Sequence, residues 1–397
     1  MPRMSESPLT ALAALRALIA DGLPQQALTG LEELTARHPD SADAWLALGE
    51  VRGMLDLDAP AEQAFRSAVA LAPQRHEAQF NLALALTYQQ RLREAVPHFV
   101  LARRLNAAIP GLDALLLDVV LRLLQSESPA PAPAFSATPL PANPLVSVII
   151  PTRDRPALLA DALQSVCRQT YTKWEAVVVN DGGADVTAVS TVIAGLPAAM
   201  ASRVTLLNAA TPGGPARARN RAIAAARGAV LAFLDDDDLY HPHHLQTLVE
   251  GLADPRHGAC HTRSEGVMET LTDGRRIEHT RGAAFAGFQY ARLVLEVRNV
   301  IPINTWGLRR DCLAAAGPFD ETLACAEDWE MLLRLSACTA INALPVTTTE
   351  VRMRENATDS VSTRSRLRPV CEIIYDRHHS AHPLVALARE LYLASLA

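Results

Sequence analysis

Lysine is almost missing from this chain: Lys173 is the only one among 37 basic residues, so nearly every cation is an arginine. On composition alone that bias points to a GC-rich bacterial genome. Cysteine is absent before Cys167, and the six that occur show no paired spacing. Such usage argues against a disulfide framework and predicts reduced thiols in a cytoplasmic protein. No apolar run is long enough to span a membrane, and the opening Met1-Pro-Arg-Met-Ser-Glu lacks the apolar core of a signal peptide. Contact with the inner face of a membrane is therefore expected only through partners. With 43 acidic residues the net charge is −6, which gives no electrostatic case for nucleic acid or an anionic membrane.

What is present divides at a Pro/Ala-rich stretch, 126–144, whose composition predicts an extended, semi-rigid linker. A length of 397 residues fits two domains with ample cores. In the first, residues 1–125, similar residues return every 34 positions. Counting from Ala42, they are Trp45, Leu48, Gly49, Ala61, Phe65, Ala68 and Pro73. One period on stand Leu82, Ala83, Ala95, Phe99 and Ala102, and one period back Gly22, Ala27 and Pro39. The pattern resembles tetratricopeptide repeats and predicts three helical hairpins, at about 8–41, 42–75 and 76–109, closed by a helix over 111–124. Such arrays present a concave face suited to peptides or partner proteins, although a purely structural role is equally open.

After the linker, three β-branched runs each end in polar residues. Leu145-Val-Ser-Val-Ile-Ile150 meets Pro151-Thr-Arg-Asp-Arg-Pro156, Ala176-Val-Val-Val179 meets Asn180-Asp-Gly-Gly183, and Val230-Leu-Ala-Phe-Leu234 meets four aspartates, Asp235 to Asp238. Helical segments between them, including an alanine-rich one after Thr211-Pro-Gly-Gly-Pro, give the rhythm of βαβ units in a parallel sheet. Ligand groups then gather along one sheet edge, where the aspartates read as a metal and phosphate site. An ordinary solvated acidic turn is the competing reading of the aspartates alone.

Five stretches, Val148-Ile-Ile-Pro-Thr-Arg-Asp-Arg155, Val179-Asn-Asp-Gly-Gly183, Gly214-Pro-Ala-Arg-Ala-Arg-Asn220, Phe233-Leu-Asp-Asp-Asp-Asp238 and Ala326-Glu-Asp-Trp329, resemble in order and spacing the inverting family 2 glycosyltransferases. The resemblance implies an α/β fold of the GT-A type, a Rossmann-like mixed sheet, over 145–360, with a C-terminal helical extension over 361–397. It implies a nucleotide-sugar donor, UDP-linked in most relatives. Pro151, Thr152, Arg153, Asp154, Asn180, Asp181, Gly214, Arg219, Asp235 and Asp236 would bind it. Asp237, with Asp235, would hold Mn²⁺ or Mg²⁺, hard cations that suit carboxylate oxygens and neutralise a departing diphosphate. Asp238 is left to cap a helix beginning at Leu239.

By the same resemblance Asp328 is the general base that takes the acceptor's proton, with Glu327 beside it at the start of an amphipathic helix. Two acids before a helix otherwise serve only its N-terminus. Asn304, Thr305, Trp306 and Trp329 are candidates for the acceptor pocket, with core packing the alternative for either tryptophan. Where relatives carry a metal-binding histidine, this chain reads Val351-Arg-Met-Arg354-Glu-Asn356-Ala-Thr-Asp359, so Arg352 or Arg354 could meet the diphosphate instead. His378, His379 and His382 read as surface or helix-end residues. The Gln-x-x-Arg-Trp signature of processive relatives is absent. The expectation is a non-processive glycosyltransferase, its repeats recruiting a glycan, lipid-linked or protein acceptor or a partner protein. The alternative is a scaffold that binds nucleotide-sugar or glycan without turnover.

Overall fold

Spacing of small and large apolar residues sets the first unit. The computed structural model describes residues 7–127, 137–183, 186–272, 275–283, 290–354 and 364–396. The chain separates into two units, Met1–Ser126 and Glu127–Ala397. Seven consecutive helices form the first: α1 (Pro8–Ala20), α2 (Pro24–Arg37), α3 (Ala42–Met54), α4 (Asp58–Leu71), α5 (His76–Tyr88), α6 (Leu92–Leu105) and α7 (Leu112–Glu127). Ala27, Ala61 and Ala95, one period apart, are buried where helices cross, while Leu31, Phe65 and Phe99 fill the layer beside them. At Gly49 a Cβ would lie 2.4 Å from the Phe65 ring, so the helices approach too closely for any side chain there. The hydrogen bonds repeat as well: Trp45 Nε1 donates to Pro39 O and Gln79 Nε2 to Pro73 O.

The second unit is built on a nine-stranded mixed sheet. Its elements are β1 (Val146–Thr152), α8 (Pro156–Cys167), β2 (Trp174–Asn180), α9 (Val186–Ala194), α10 (Ala198–Ala201), β3 (Val204–Asn208), α11 (Gly214–Ala225), β4 (Val230–Phe233), β5 (Leu239–Tyr240), α12 (His244–Gly251), β6 (His257–Thr272) and β7 (Arg275–Ala283). They continue with α13 (Arg292–Leu295), a 3₁₀ turn (Ile303–Thr305), β8 (Trp306–Arg309), α14 (Cys312–Ala316), α15 (Glu327–Cys338), β9 (Ala340–Arg354), α16 (Arg364–Arg377) and α17 (Pro383–Ser395). Strand order is β3-β2-β1-β4-β8-β6-β9-β5, with β7 paired to β6. The first four strands are parallel, and β8 joins β4 antiparallel. Continuous Val/Ile runs suit these strands because both faces of a parallel sheet are buried. Val146, Val148 and Ile150 pack on one side with Leu159, Leu163 and Val166 of α8.

Three local expectations change. Ala137 N–H donates to Pro255 O and Arg309 Nη1 to Thr138 O, so the last part of the Pro/Ala stretch is bound to the second unit. Residues 128–136 of that stretch lie outside the described residues. No helix begins at Leu239. Tyr240 is buried and pairs with Thr349 in β9, and Pro242 delays the helix to His244. Asp238 consequently caps nothing; it is buried, accepting from Asn304 Nδ2 and the Arg352 N–H.

Candidate active site

The parallel strands deliver their polar ends to one cavity of about 840 Å³. Thr152 at the end of β1 pairs in register with Asn180 at the end of β2, and the segment after β4 runs alongside through a Leu234 N–H bond to Ile149 O. The loop after β2 is shaped by glycine. Gly182 has a φ of 69°, and a Cβ there would meet Pro212 N at 2.4 Å. Gly214 opens α11 with a φ of 84°, and Asp181 accepts the Gly213 and Gly214 N–H groups on its carboxylate at 2.8 to 3.0 Å. Asp181 therefore holds this turn while lining the cavity. Asn180 does not reach the cavity: 1% exposed, it accepts from Gly183 N–H and donates to Asn208 beneath the loop.

The aspartates after β4 take different partners. Asp235 Oδ1 accepts from Arg219 Nη2 at 2.6 Å. Asp236 is buried against β1, accepting from Thr152 Oγ1 at 2.7 Å and Arg155 Nη1 at 3.1 Å; its burial pushes its carboxyl up to about 7, against the pull of Arg155. Asp237 Oδ2 accepts from both Arg155 Nη1, at 2.9 Å, and Arg354 Nη2, at 2.6 Å. Burial and the neighbouring Asp235 raise its pKa. Arg352 also lines the cavity, but its guanidinium is engaged by Glu269 and Glu350.

Across the cavity, α15 begins with Glu327 and Asp328. The preceding Ala326 has a φ of 57°, a left-handed conformation that costs a residue with a Cβ about 1–2 kcal/mol. Arg219 on α11 spans the two sides. Only 4% exposed, its guanidinium binds Asp235 and Glu327 together and lies over the Phe319 ring, with Nε buried and unpaired. Asp328 accepts from Asn299 Nδ2 on one oxygen and from the Trp329 N–H on the other. Burial, reinforced by Glu327 and opposed by Arg219, pushes Asp328 up to about 7.

Pro151, Thr152, Arg153, Asp154, Asp181, Gly214, Arg219, Asp235, Asp236, Asp237, Glu327 and Asp328 all line this one cavity. The four acceptor candidates do not. Trp306 and Trp329 are 2% and 1% exposed, their indole N–H groups spent on Ile301 O and Leu295 O, and Asn304 and Thr305 are fully buried on internal bonds. Core packing accounts for all four. Sequence reasoning gave no role to Arg155, the last residue of the first strand-end motif, and missed Asn299, whose loop carries no signal at all. His378 and His382 lie at helix ends, His378 beside Glu330. Residues Asn356 to Asp359 lie outside the described residues.

As to a divalent cation, Asp235 and Asp237 supply hard carboxylate oxygens facing the cavity. The arginines engage Oδ1 of one and Oδ2 of the other, so the donor set fits an ion on the remaining oxygens. Among the described residues no histidine lines the cavity. Another group of metal-capable side chains, His241, Glu265 and Glu350, converges away from it, but Arg281 Nη1 already bridges its two carboxylates.

A mixed GT-A sheet with a carboxylate loop facing a helix-borne pair of acids is the arrangement of a sugar-transferring enzyme. Residues 147–314 match the family model "Glycosyl transferase family 2", and residues 8–51 match "Tetratricopeptide repeat". The second unit of this chain thus contains a glycosyl transferase family 2 region at residues 147–314. WcaA of Escherichia coli (strain K12), named as a glycosyl transferase of colanic acid biosynthesis, is 28% identical over 49% of this chain and 66% of its own length. The O-antigen biosynthesis protein RfbC of Myxococcus xanthus is 31% identical over 50% of this chain and 15% of its own. The chain thus spans less than two thirds of each. The mannosyltransferase PcManGT of Pyrobaculum calidifontis, solved with GDP-Man and Mn²⁺, shares the fold at a TM-score of 0.50 and 20% identity, over 77% of this chain and 85% of that one.

Proposed function

We propose that this protein is an inverting, non-processive glycosyltransferase that moves a sugar from a nucleotide-sugar, UDP-linked, to an acceptor hydroxyl. One observation carries the reading: the aspartate loop after β4 and the acids at the start of α15 face one cavity, and Arg219 joins them. Inverting transfer needs positive charge at the departing diphosphate and a base on the opposite side of the anomeric carbon. Asp235 and Asp237 would hold Mg²⁺ or Mn²⁺, which neutralises the diphosphate as the glycosidic bond breaks. Asp328 takes the acceptor proton. A carboxyl raised to about 7 is a stronger base than an ordinary aspartate yet is half ionised at neutral pH. Asn299 and the Trp329 N–H fix its orientation, and Arg219 binds the neighbouring Glu327. Pro151, Arg153 and the Asp181 turn form the nucleotide side of the pocket.

The helical repeats recruit the acceptor or a partner protein, and the work takes place in the cytoplasm; no helix among the described residues is long and apolar enough to cross a membrane. Thermal shift with a panel of nucleotide-sugars tests the reading, since a ligand that binds only the folded state raises its melting temperature. Stabilisation by one donor, followed by sugar transfer or slow donor hydrolysis, is the expected result. Stabilisation without turnover in any condition would favour a binding scaffold, and no stabilisation by any donor would reject both readings.

A further inference from the structure

Asp237 carries two cations on one oxygen. Arg155, just past β1, and Arg354, at the end of β9, reach Oδ2 from different parts of the sheet, and their side chains are 25% and 13% exposed. Both line the cavity. The arrangement is well balanced with no ligand, but it spends one of the two Asp237 oxygens, sets two positive charges beside the oxygen left for a divalent cation, and ties up two guanidiniums that line the space where a donor's phosphates belong. A diphosphate offers several anionic oxygens of the geometry that arginine forks match. Arg352 cannot serve in their place, because Glu269, fully buried, and Glu350 hold its guanidinium.

We infer that Arg155 and Arg354 are exchange partners in donor binding. The cation takes over Asp237, and the guanidiniums it displaces close on the diphosphate. This rests on the reading of the cavity as a nucleotide-sugar site and adds to it a built-in coupling. A cation alone must break two ion pairs, while Arg155 keeps its bond to Asp236, and a diphosphate alone must strip both guanidiniums from Asp237 and leave its carboxylate bare. When both arrive, each relieves the cost of the other, which is positive cooperativity by linkage. The exchange also explains how a site without a histidine ligand can retain a cation: the ion is held by the donor as much as by the protein.

The test uses the full chain and its Arg155→Gln and Arg354→Gln variants. Mn²⁺ binding alone is followed by the paramagnetic resonance signal of the free ion, and UDP or GDP binding by calorimetry with and without Mn²⁺. Removing either arginine is expected to tighten Mn²⁺ alone by about tenfold and to weaken the diphosphate in the presence of Mn²⁺ by about tenfold. A merely structural role cannot move the two affinities in opposite directions. Arg354→Lys, which keeps the charge, should recover part of the diphosphate affinity. Adding Asp237→Asn to Arg354→Gln should cancel the gain for Mn²⁺. If the gain survives, the ion sits elsewhere, as at His241, Glu265 and Glu350, and the exchange is overturned. It is also overturned if both affinities fall together, or if Mn²⁺ alone binds the variants no better than the unmutated chain. If the unmutated chain binds neither UDP nor GDP, the nucleotide-sugar reading fails, and the Mn²⁺ measurements still decide whether the arginines guard Asp237.

Discussion

Replacing Asp328 by asparagine should separate chemistry from stability, because the two respond in opposite directions. The side chain keeps its shape and can still accept from Asn299 Nδ2 or the Trp329 N–H, but it can no longer take a proton. Turnover should fall by a factor on the order of 10² to 10⁴, while donor affinity, set across the cavity, should barely change. Stability follows from the raised pKa. Folding moves this carboxyl from 3.8 to about 7, so between those values the folded chain holds a proton that the unfolded chain has released. Unmutated stability therefore declines as pH rises through roughly 4 to 7 and is level above, where burying the charge has its full cost. At about 1.4 kcal/mol per pH unit that cost is about 4 kcal/mol in all. The amide has no such slope. Urea unfolding of both proteins at pH 5 and pH 8 should show the variant gaining about 2 to 3 kcal/mol relative to the unmutated chain between the two conditions, because about two pH units of the slope lie in that window. A constant difference across that range would refute the claim that burial strains this charge. Unchanged turnover would reject Asp328 as the base. The rate profile of the unmutated enzyme should rise with pH through an apparent pKa near 7.

Further outcomes follow from the same geometry. Arg219→Met leaves Asp235 and Glu327 without their shared cation, which should cost about 3–5 kcal/mol in denaturant unfolding and move the rising limb of the rate profile to higher pH. Asp237→Ala should abolish any strengthening of UDP binding by Mn²⁺, read by calorimetry, with the circular dichroism spectrum unchanged. A fragment spanning 137–397, which keeps the bonds at Ala137 and Thr138, should retain donor binding while transfer to the native acceptor falls. Gly49→Ala forces a methyl group into the Phe65 ring and should lower the stability of the repeats by about 1–3 kcal/mol without altering donor affinity.

Local patterns were enough to read the elements. The 34-residue return of alanine and aromatic positions placed seven helices, because each hairpin must present small residues where the next one crosses. Unbroken valine and isoleucine runs ending in acids marked the parallel strands and the edge at which ligand groups collect, since strand direction alone decides which end faces the cavity. Cavity residues such as Asp235, Asp237 and Asp328 were legible because each sits just past a strand end or at a helix start, and Arg219 because it lies on the helix that the glycine turn opens. What the tertiary structure alone decided was which side chains face the cavity and what they touch. Asn304 and the two tryptophans stand in polar or aromatic stretches that look functional, but packing of β8 and α15 turns them inward onto backbone carbonyls and Asp238. The same closure brings Arg354, 117 positions away in the chain, onto Asp237, and Asn299 onto Asp328. Pairings of this kind depend on strand order and register, and local propensity carries no information about either.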